Sequence, residues 1–488
     1  MSTTTLPTAM AAVSERSTDR AKWLGFTVLT VAAVMDLLDA TITQTAAPAI
    51  RRDLSGNYAD LEWITAAYTL AMATMLLVGS RLGDLFGRRN VLLASMAGFI
   101  GASMLCAAAP SIGSLIAARV LQGAIGAMMV PQGFGLIRDL FGDDGQQKAF
   151  GIFGPVMGLA SIAGPLIGGS LVDLNVLGSS WRAIFFANVP LGLGALALGL
   201  RYLPRTAPAH PDAKLDWVSV ALAVAASFGL VYPLIEGRQQ GWPAWSFVML
   251  AAGLVLLVAL GRRQLARVRR GRTPLFEPTL LQRRQYVAGL AVVAGFIGAM
   301  GGMIVALNVM FQAGLGFSPL ACGIATAVIP VAAIAGSITS SILLPKIGRT
   351  TMHAGVAIMA LGLAVVVLVL RHMGAQLSAW DLTAPLGVTG FGMGMVFVPM
   401  FDVILAGVEP RQVGSASGLL ESTQQLGMSL GIAIVGTELF DRIGNGHGRG
   451  IFVDAAASAL LVAIAFLVAA GFAVSWLPKH ARPSGGGH

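Results

Sequence analysis

Fourteen times along this 488-residue chain, some twenty consecutive residues pass almost without charge. An α-helix rises about 1.5 Å per residue, so each run matches the roughly 30 Å hydrocarbon layer of a bilayer. The runs fall at 23–49, 61–80, 90–110, 112–137, 149–171, 183–203, 216–236, 243–261, 285–312, 319–344, 351–371, 381–406, 414–437 and 452–477. Only 11% of residues are charged, 56% are hydrophobic and the mean hydropathy is +0.77. A water-soluble domain carries about 25% charged residues, and a disordered chain needs few apolar ones. Both classes are excluded. Most connections are short and hold Gly, Pro, Asp or Asn, which leaves no room for a separate soluble domain.

The net charge of +9 reads as topology rather than as affinity for nucleic acid. With the N-terminus inside, 24 of the 32 Lys and Arg fall on the inner side, 7 on the outer side and one, Arg119, within a span. Positive residues collect on the cytoplasmic side of membrane proteins, so both termini are predicted to be cytoplasmic. The densest group is Arg262, Arg263, Arg267, Arg269, Arg270, Arg272, Arg283 and Arg284. No aromatic residues interleave these arginines for base stacking, so the loop reads as an anchor to anionic headgroups. Residues 1–22 show no cleavable leader, and Cys106 and Cys322 lie in apolar runs without metal-ligand spacing. None of the six histidines forms a zinc motif, and no phosphate-binding glycine loop is present. A polytopic membrane enzyme and direct ATP drive therefore lack support, and no cofactor is expected.

Four stretches carry the chemistry. Residues 79–92 read GSRLGDLFGRRNVL after the second span. Gly83 and Gly87 permit a tight reversal there, Asp84 can face basic groups, and Arg88 and Arg89 hold the turn at the inner surface. A weaker copy, LLPKIGR at 343–349, follows the tenth span and suits two six-helix halves with two helices inserted between them. Residues 119–127 read RVLQGAIGA. A charge at mid-bilayer costs about 2.5–3.5 kcal/mol on insertion scales, so Arg119 needs a partner or a wet cavity. Residues 164–169 read GPLIGG, with Gly154, Pro155 and Gly158 upstream; glycines allow close helix packing and proline bends the helix. Residues 38–50 read LDATITQTAAPAI. Asp36 precedes Asp39 by one helical turn, so the two carboxylates share a face and cannot both ionise cheaply.

In this order the stretches resemble the signatures of the major facilitator superfamily, and more closely those of its 14-helix drug/proton antiporter branch. WITAAY at 63–68, WRAIFFANVPLG at 181–192, LDWVSVAL from Leu215, FQAGLGFSP at 311–319, and SASGLL and QQLG around Glu421 strengthen the likeness over roughly 23–477. The chain departs from the pattern at Ser80, where a glycine is usual, with Gly79 beside it. That change is expected to weaken helix approach slightly. Gln44 stands where Asn is common.

The resemblance implies an all-α integral membrane protein with fourteen transmembrane helices, two six-helix major-facilitator bundles and two inserted helices. The expected division is a tail 1–22, a bundle 23–203, an inserted pair 216–261, a basic loop 262–284, a second bundle 285–477 and a tail 478–488. It also implies proton-driven efflux of lipophilic or cationic small molecules across the bacterial cytoplasmic membrane, as a monomer needing only protons, substrate and bilayer. Asp39, Asp36, Arg119 and Glu421 are the candidates for proton coupling, with Asp402 a weaker one. Asp84, Gly87, Arg88, Arg89, Gly164, Pro165, Gly168 and Gly169 are candidates for gating. Tyr68, Gln122, Met128, Asn308, Gln312, Phe397 and Gln425 are candidates for substrate contact. Glu62, Asp173, Glu236, Asp381, Glu438 and Asp441 sit near span ends and read as interfacial. A dedicated exporter of a self-made metabolite shares the fold; the GPLIGG stretch argues against nutrient uptake.

Overall fold

The computed structural model describes residues 6–175, 178–205, 216–271, 274–405, 408, 413–444, 446 and 448–478, and among them it contains helices and no strand. The helices are α1 (Leu6–Asp53), α2 (Tyr58–Phe86), α3 (Arg88–Ala107), α4 (Ile112–Leu174), α5 (Ala183–Phe186), α6 (Asn188–Tyr202), α7 (Trp217–Gln239) and α8 (Ala244–Arg269). They continue with α9 (Arg284–Val309), α10 (Pro319–Thr326), α11 (Val328–Ile347), α12 (Thr350–Met373), α13 (Ala379–Leu405), α14 (Val413–Ile443) and α15 (Arg449–Val474). Ten helical stretches among the described residues are long and apolar enough to cross a membrane. Parts of both expected tails, residues 1–5 and 479–488, lie outside the described residues, as do Arg272 and the side chains of Ser80, Asp84 and Asp402.

Local signals set the helix ends. Asn57 caps α2 in a reciprocal box with Asp60, and Ser111 caps α4 in the same way with Ser114. Gly87 ends α2 and starts α3 at φ 83°, a conformation glycine adopts without penalty. Gly348 closes α11 likewise at φ 55°. The two turns carry the internal repeat, and an arginine near each reaches a helix end. Arg89 donates to the carbonyls of Leu200 (2.7 Å) and Leu203 (3.0 Å) at the end of α6. Arg349 donates to the carbonyl of Leu477 just past α15. Each arginine thus satisfies carbonyls left over where a helix ends, although it is Arg88, one position earlier, that matches Arg349 in the repeat. Gly83 takes no part in the reversal. It stays helical within α2, packed so closely that a Cβ would lie 2.0 Å from Gln132 Oε1.

The helical stretch of α4 covers two of the expected runs, and it cannot be straight. Residues 119 and 164 would lie about 68 Å apart on a straight helix. Yet Arg119 bonds Asp39 and Gly164 packs on Thr41, both on α1. The two halves of α4 therefore lie side by side on α1, with the reversal between them.

Glycines bring the remaining backbones together. A Cβ at Gly79 would sit 2.4 Å from the Ala127 carbonyl, and one at Gly123 would sit 2.3 Å from that of Tyr68. Gly79 therefore makes the α2–α4 approach that Ser80 was expected to weaken. Gly390 and Gly394 of α13 meet α11 in the same way, and Gly431 of α14 meets Gly298 of α9. In a bilayer such close packing replaces the hydrophobic drive that water supplies elsewhere. Helices α8 and α11 turn Val248, Leu254, Val255, Ile338 and Ile342 outward.

The connection after α8 is tied down by a polar knot. Asp216 accepts from Arg263 (2.8 Å) and Ser219 and pairs with Arg267 (3.2 Å). Buried Gln264 donates to Ser219 (2.7 Å) and accepts from the Leu275 amide (2.8 Å). Arg81 of α2 donates to the Pro274 carbonyl (2.9 Å), and Val78, Val220, Leu260, Leu275 and Phe276 cluster beneath it. Two arginines of the basic cluster are thus structural ties rather than lipid contacts. Arg262, Arg269 and Arg270 stay exposed.

Burial opposes the charged form of Asp216, but hydrogen bonds from Arg263 and Ser219 and the charge of Arg267 outweigh it and hold the carboxyl at about 2. A carboxylate lowered in this way adds stability above its unfolded value near 4 and loses it only as the pH falls toward 2. Asp216→Asn is therefore expected to lower the unfolding temperature of the purified protein by the same margin at every pH from neutrality to about 4. Thermal unfolding of both forms across that range checks it.

Candidate functional site

Arg119 of α4 is fully buried, the largest cationic side chain in the interior. Its Nη1 donates to the Asp39 carboxylate and to Gln122 Oε1 (2.7 Å), and its Nε donates to the Ile64 carbonyl (3.2 Å). Asp39, 3% exposed, also accepts from Gln122 Nε2 (2.8 Å) and Asn188 Nδ2 (2.9 Å). Gln122 donates onward to Ser103 (2.9 Å) and accepts from the Cys106 thiol (3.4 Å). Five helices, α1, α2, α3, α4 and α6, meet in this network. An ion pair with its remaining lone pairs satisfied tolerates low dielectric, whereas a lone charge there does not.

Asp36 has a different setting. It is half-buried, and among the described residues its hydrogen bond comes from the Tyr68 hydroxyl. The Tyr68 ring lies 4.1 Å beneath the Arg119 guanidinium, so one side chain joins the two carboxylate sites. Although Asp36 and Asp39 share a face of α1, they have separate partners. Glu421 of α14 is half-buried and within electrostatic reach of Asp36. Residues Leu29, Ala32 and Ala33, on the same stripe of α1 as Asp36, line a small apolar gap of about 30 Å³ with Leu92, Met129, Ile137 and Phe153.

The GPLIGG segment packs backbone to backbone. A Cβ at Gly164 would lie 2.1 Å from Thr41 Oγ1, one at Gly168 would lie 2.8 Å from Ile42 Cγ2, and one at Gly169 would lie 2.5 Å from Leu320 Cα. Across the same contact, a Cβ at Gly323 of α10 would lie 2.7 Å from the Pro165 carbonyl. The Asp173 carboxylate accepts from the Leu320 amide (3.2 Å), and Gln312 donates to the Thr45 carbonyl (2.8 Å). These contacts close the end of the molecule that carries the α1–α2 turn. At the other end, Arg88 pairs with Asp139 at 3.6 Å.

The candidate contact residues are spread widely. Tyr68 and Gln122 are bound into the networks above. Asn308 is nearly buried and bonds the Ile304 carbonyl (3.0 Å), and Met128 backs onto Gly79. Phe397 is 42% exposed, with its ring 6.4 Å from Phe296. Gln425 is half-buried on α14, one turn from Glu421. Two participants carry no assignment from the sequence, and a third residue lies deeper than expected. Asn188 and Ser103 complete the Asp39 network, and an Asn within a span is the signal that identifies such a partner. Glu62, expected at an interface, is wholly buried between α2 and α14. Among the described residues no three His, Cys, Asp or Glu gather to hold a metal ion.

Arg119→Gln strands the Asp39 charge and is expected to cost about 3–5 kcal/mol of stability. The double variant Arg119→Gln/Asp39→Asn is expected to recover most of that loss, because two neutral amides replace the pair. Thermal unfolding of the two variants in detergent separates these outcomes.

The chain matches the family description Major Facilitator Superfamily over residues 29–432. It is 41% identical over 426 residues to a probable actinorhodin transporter of Streptomyces coelicolor, covering 87% of this chain and 73% of that one. It is 31% identical over 458 residues to the puromycin resistance protein pur8 of Streptomyces alboniger, covering 92% and 89%. Its fold is similar to that of an autoinhibited peptide transporter of the POT family, with TM-score 0.67 at 16% identity over 95% of this chain and 99% of that one. The helical bundle, the inner-turn signature and the buried Arg119 network thus have one common explanation: the chain belongs to the major facilitator superfamily.

Proposed function

We propose that this protein exports lipophilic small molecules, cationic ones among them, in exchange for protons. The observation that carries the reading is Asp36. It is an ionisable group inside the membrane, half-buried and held by a tyrosine hydroxyl rather than by a cation. A carboxylate so placed is suited to trade a proton for a passing substrate. Asp39 is the less suited of the two, because its charge is already matched by Arg119. We assign the coupling proton to Asp36 and Glu421, and to Asp39 and Arg119 the frame that orients Tyr68 against Asp36.

The proposed architecture is fourteen transmembrane helices. Residues 23–203 and 285–477 form two six-helix bundles, residues 216–261 an inserted pair, and 262–284 a cytoplasmic loop. Both termini are cytoplasmic in the bacterial plasma membrane, and one chain suffices for transport. With that orientation, the contacts of Gly169, Gly323 and Gln312 lie at the outer end. Substrate enters from the cytoplasmic side, protons arriving from outside neutralise Asp36 and Glu421 after outward release, and the neutral protein returns inward.

The 41% identity to a probable actinorhodin transporter favours one refinement, a dedicated exporter of a self-made metabolite or antibiotic. Cells with and without the gene, challenged with a panel of toxic compounds, distinguish breadth from dedication: several scaffolds or one. In everted vesicles, Asp36→Asn is expected to abolish uphill transport while Asp39→Asn keeps part of it. A protonophore is expected to abolish it in the wild type. Uphill transport by Asp36→Asn at the wild-type rate would remove Asp36 from the mechanism.

A further inference from the structure

Helices α7 and α8 form a tight hairpin. A Cβ at Gly229 of α7 would lie 3.1 Å from Gly253 Cα of α8, and one at Gly237 would lie 2.9 Å from Ser246 Cβ. With the Asp216 knot at its other end, the hairpin is one body. Helix α7 packs against both α2 and α14, which also pack on each other. Val231 and Ile235 of α7 share an apolar core with Trp63, Ala66 and Leu70 of α2 and Ala433 of α14. The hairpin thus lies over the α2–α14 seam. Helix α2 is bound into the Arg119 network through the Ile64 carbonyl, and α14 is packed on α9 through Gly431. When those two groups of helices move apart, the hairpin can follow only one of them.

Its ties to the two sides differ in kind. Helix α2 holds the hairpin at both ends. At one end the Trp63 indole donates to Glu236 (2.9 Å), and the Tyr232 ring lies 5.9 Å from that of Trp63. At the other end Arg81 donates to the Pro274 carbonyl (2.9 Å), and Val78 clusters with Val220 and Phe276. Fifteen residues separate Trp63 from Val78 and sixteen separate Val220 from Glu236. The two helices therefore run antiparallel and in register over about 23 Å. Parting them gives up hydrogen bonds and ring contacts together.

The bond from α14 is easier to leave. Thr437 Oγ1 lies 3.1 Å from the Leu234 carbonyl of α7 but 2.7 Å from the Ala433 carbonyl of its own helix. A hydroxyl has one proton to donate, and the nearer acceptor moves with it. Leu426 and Leu430 of α14 add apolar contacts, which lipid tails replace without a hydrophobic cost.

We infer that the α7–α8 hairpin travels with α2 through the transport cycle, and that the face between α7 and α14 is the surface that slides. Trp63 and Glu236 are the positioning pair of this device. The inference rests on the inward–outward cycle proposed above.

The test uses the full chain with pairs of spin labels at three exposed positions: Arg52→Cys at the end of α1, Gln240→Cys after α7 and Arg442→Cys near the end of α14. Cys106 and Cys322 are buried and stay unlabelled. Distances are read by pulsed electron spin resonance in nanodiscs at about pH 5 and about pH 8, with and without ethidium. The 52–442 and 240–442 distances are each expected to change by about 5 Å or more between samples, while the 52–240 distance stays within about 2 Å. A 52–240 change as large as the 52–442 change overturns the inference and leaves the cycle standing. A 52–442 distance constant in every sample overturns the cycle, and the inference with it. A reducible tether between Leu234→Cys and Thr437→Cys is expected to slow uphill ethidium transport about tenfold or more until reductant frees it. Transport by the tethered form at the untethered rate overturns the sliding face.

Discussion

A guanidinium inside a bilayer has no water to solvate it, and the Arg119–Asp39 pair is how this chain meets that constraint. Much of the N-terminal half is arranged around the pair. Gln122 and Asn188 supply the remaining donors, Ser103 anchors Gln122, and the Ile64 carbonyl takes the Nε proton. Each partner comes from a different helix or a different turn, so the pair fixes α1, α2, α3, α4 and α6 together. Its second effect is positional. Tyr68 lies under the guanidinium and points its hydroxyl at Asp36.

This arrangement divides the two carboxylates of α1 by partner rather than by sequence. Asp39 faces a cation and two neutral side chains. Asp36, one turn away, faces a phenol and the distant charge of Glu421. The fold thus sets a charge-matched carboxylate and one held by a hydroxyl side by side. The glycine contacts of the GPLIGG segment against α10 bring the backbones of the two helices together.

Much of this was legible in the sequence, and its limits have physical causes. Membrane-spanning length, inner-turn chemistry and the need of Arg119 for a partner are all local or compositional facts. So was the repeat at Leu343–Arg349, although the different partners of its two arginines, Asp139 for Arg88 and the Leu477 carbonyl for Arg349, needed coordinates. Helical period put Asp36 and Asp39 on one face but said nothing of their different partners, because partner choice depends on α2 and α6. Glu62 looked interfacial from its place in the span; the absence of a side chain at Gly436, 374 residues later, is what lets it lie buried. The basic cluster looked like a lipid anchor until Asp216 claimed two of its arginines.

The central claim is that Asp36, and not Asp39, exchanges its proton for substrate. The most direct measurement is proton release from the purified protein in weakly buffered detergent when substrate is added, followed with a pH indicator. The account predicts release by the wild type and by Asp39→Asn, and none or little by Asp36→Asn. Release by Asp36→Asn equal to that of the wild type, or its loss in Asp39→Asn alone, would contradict it.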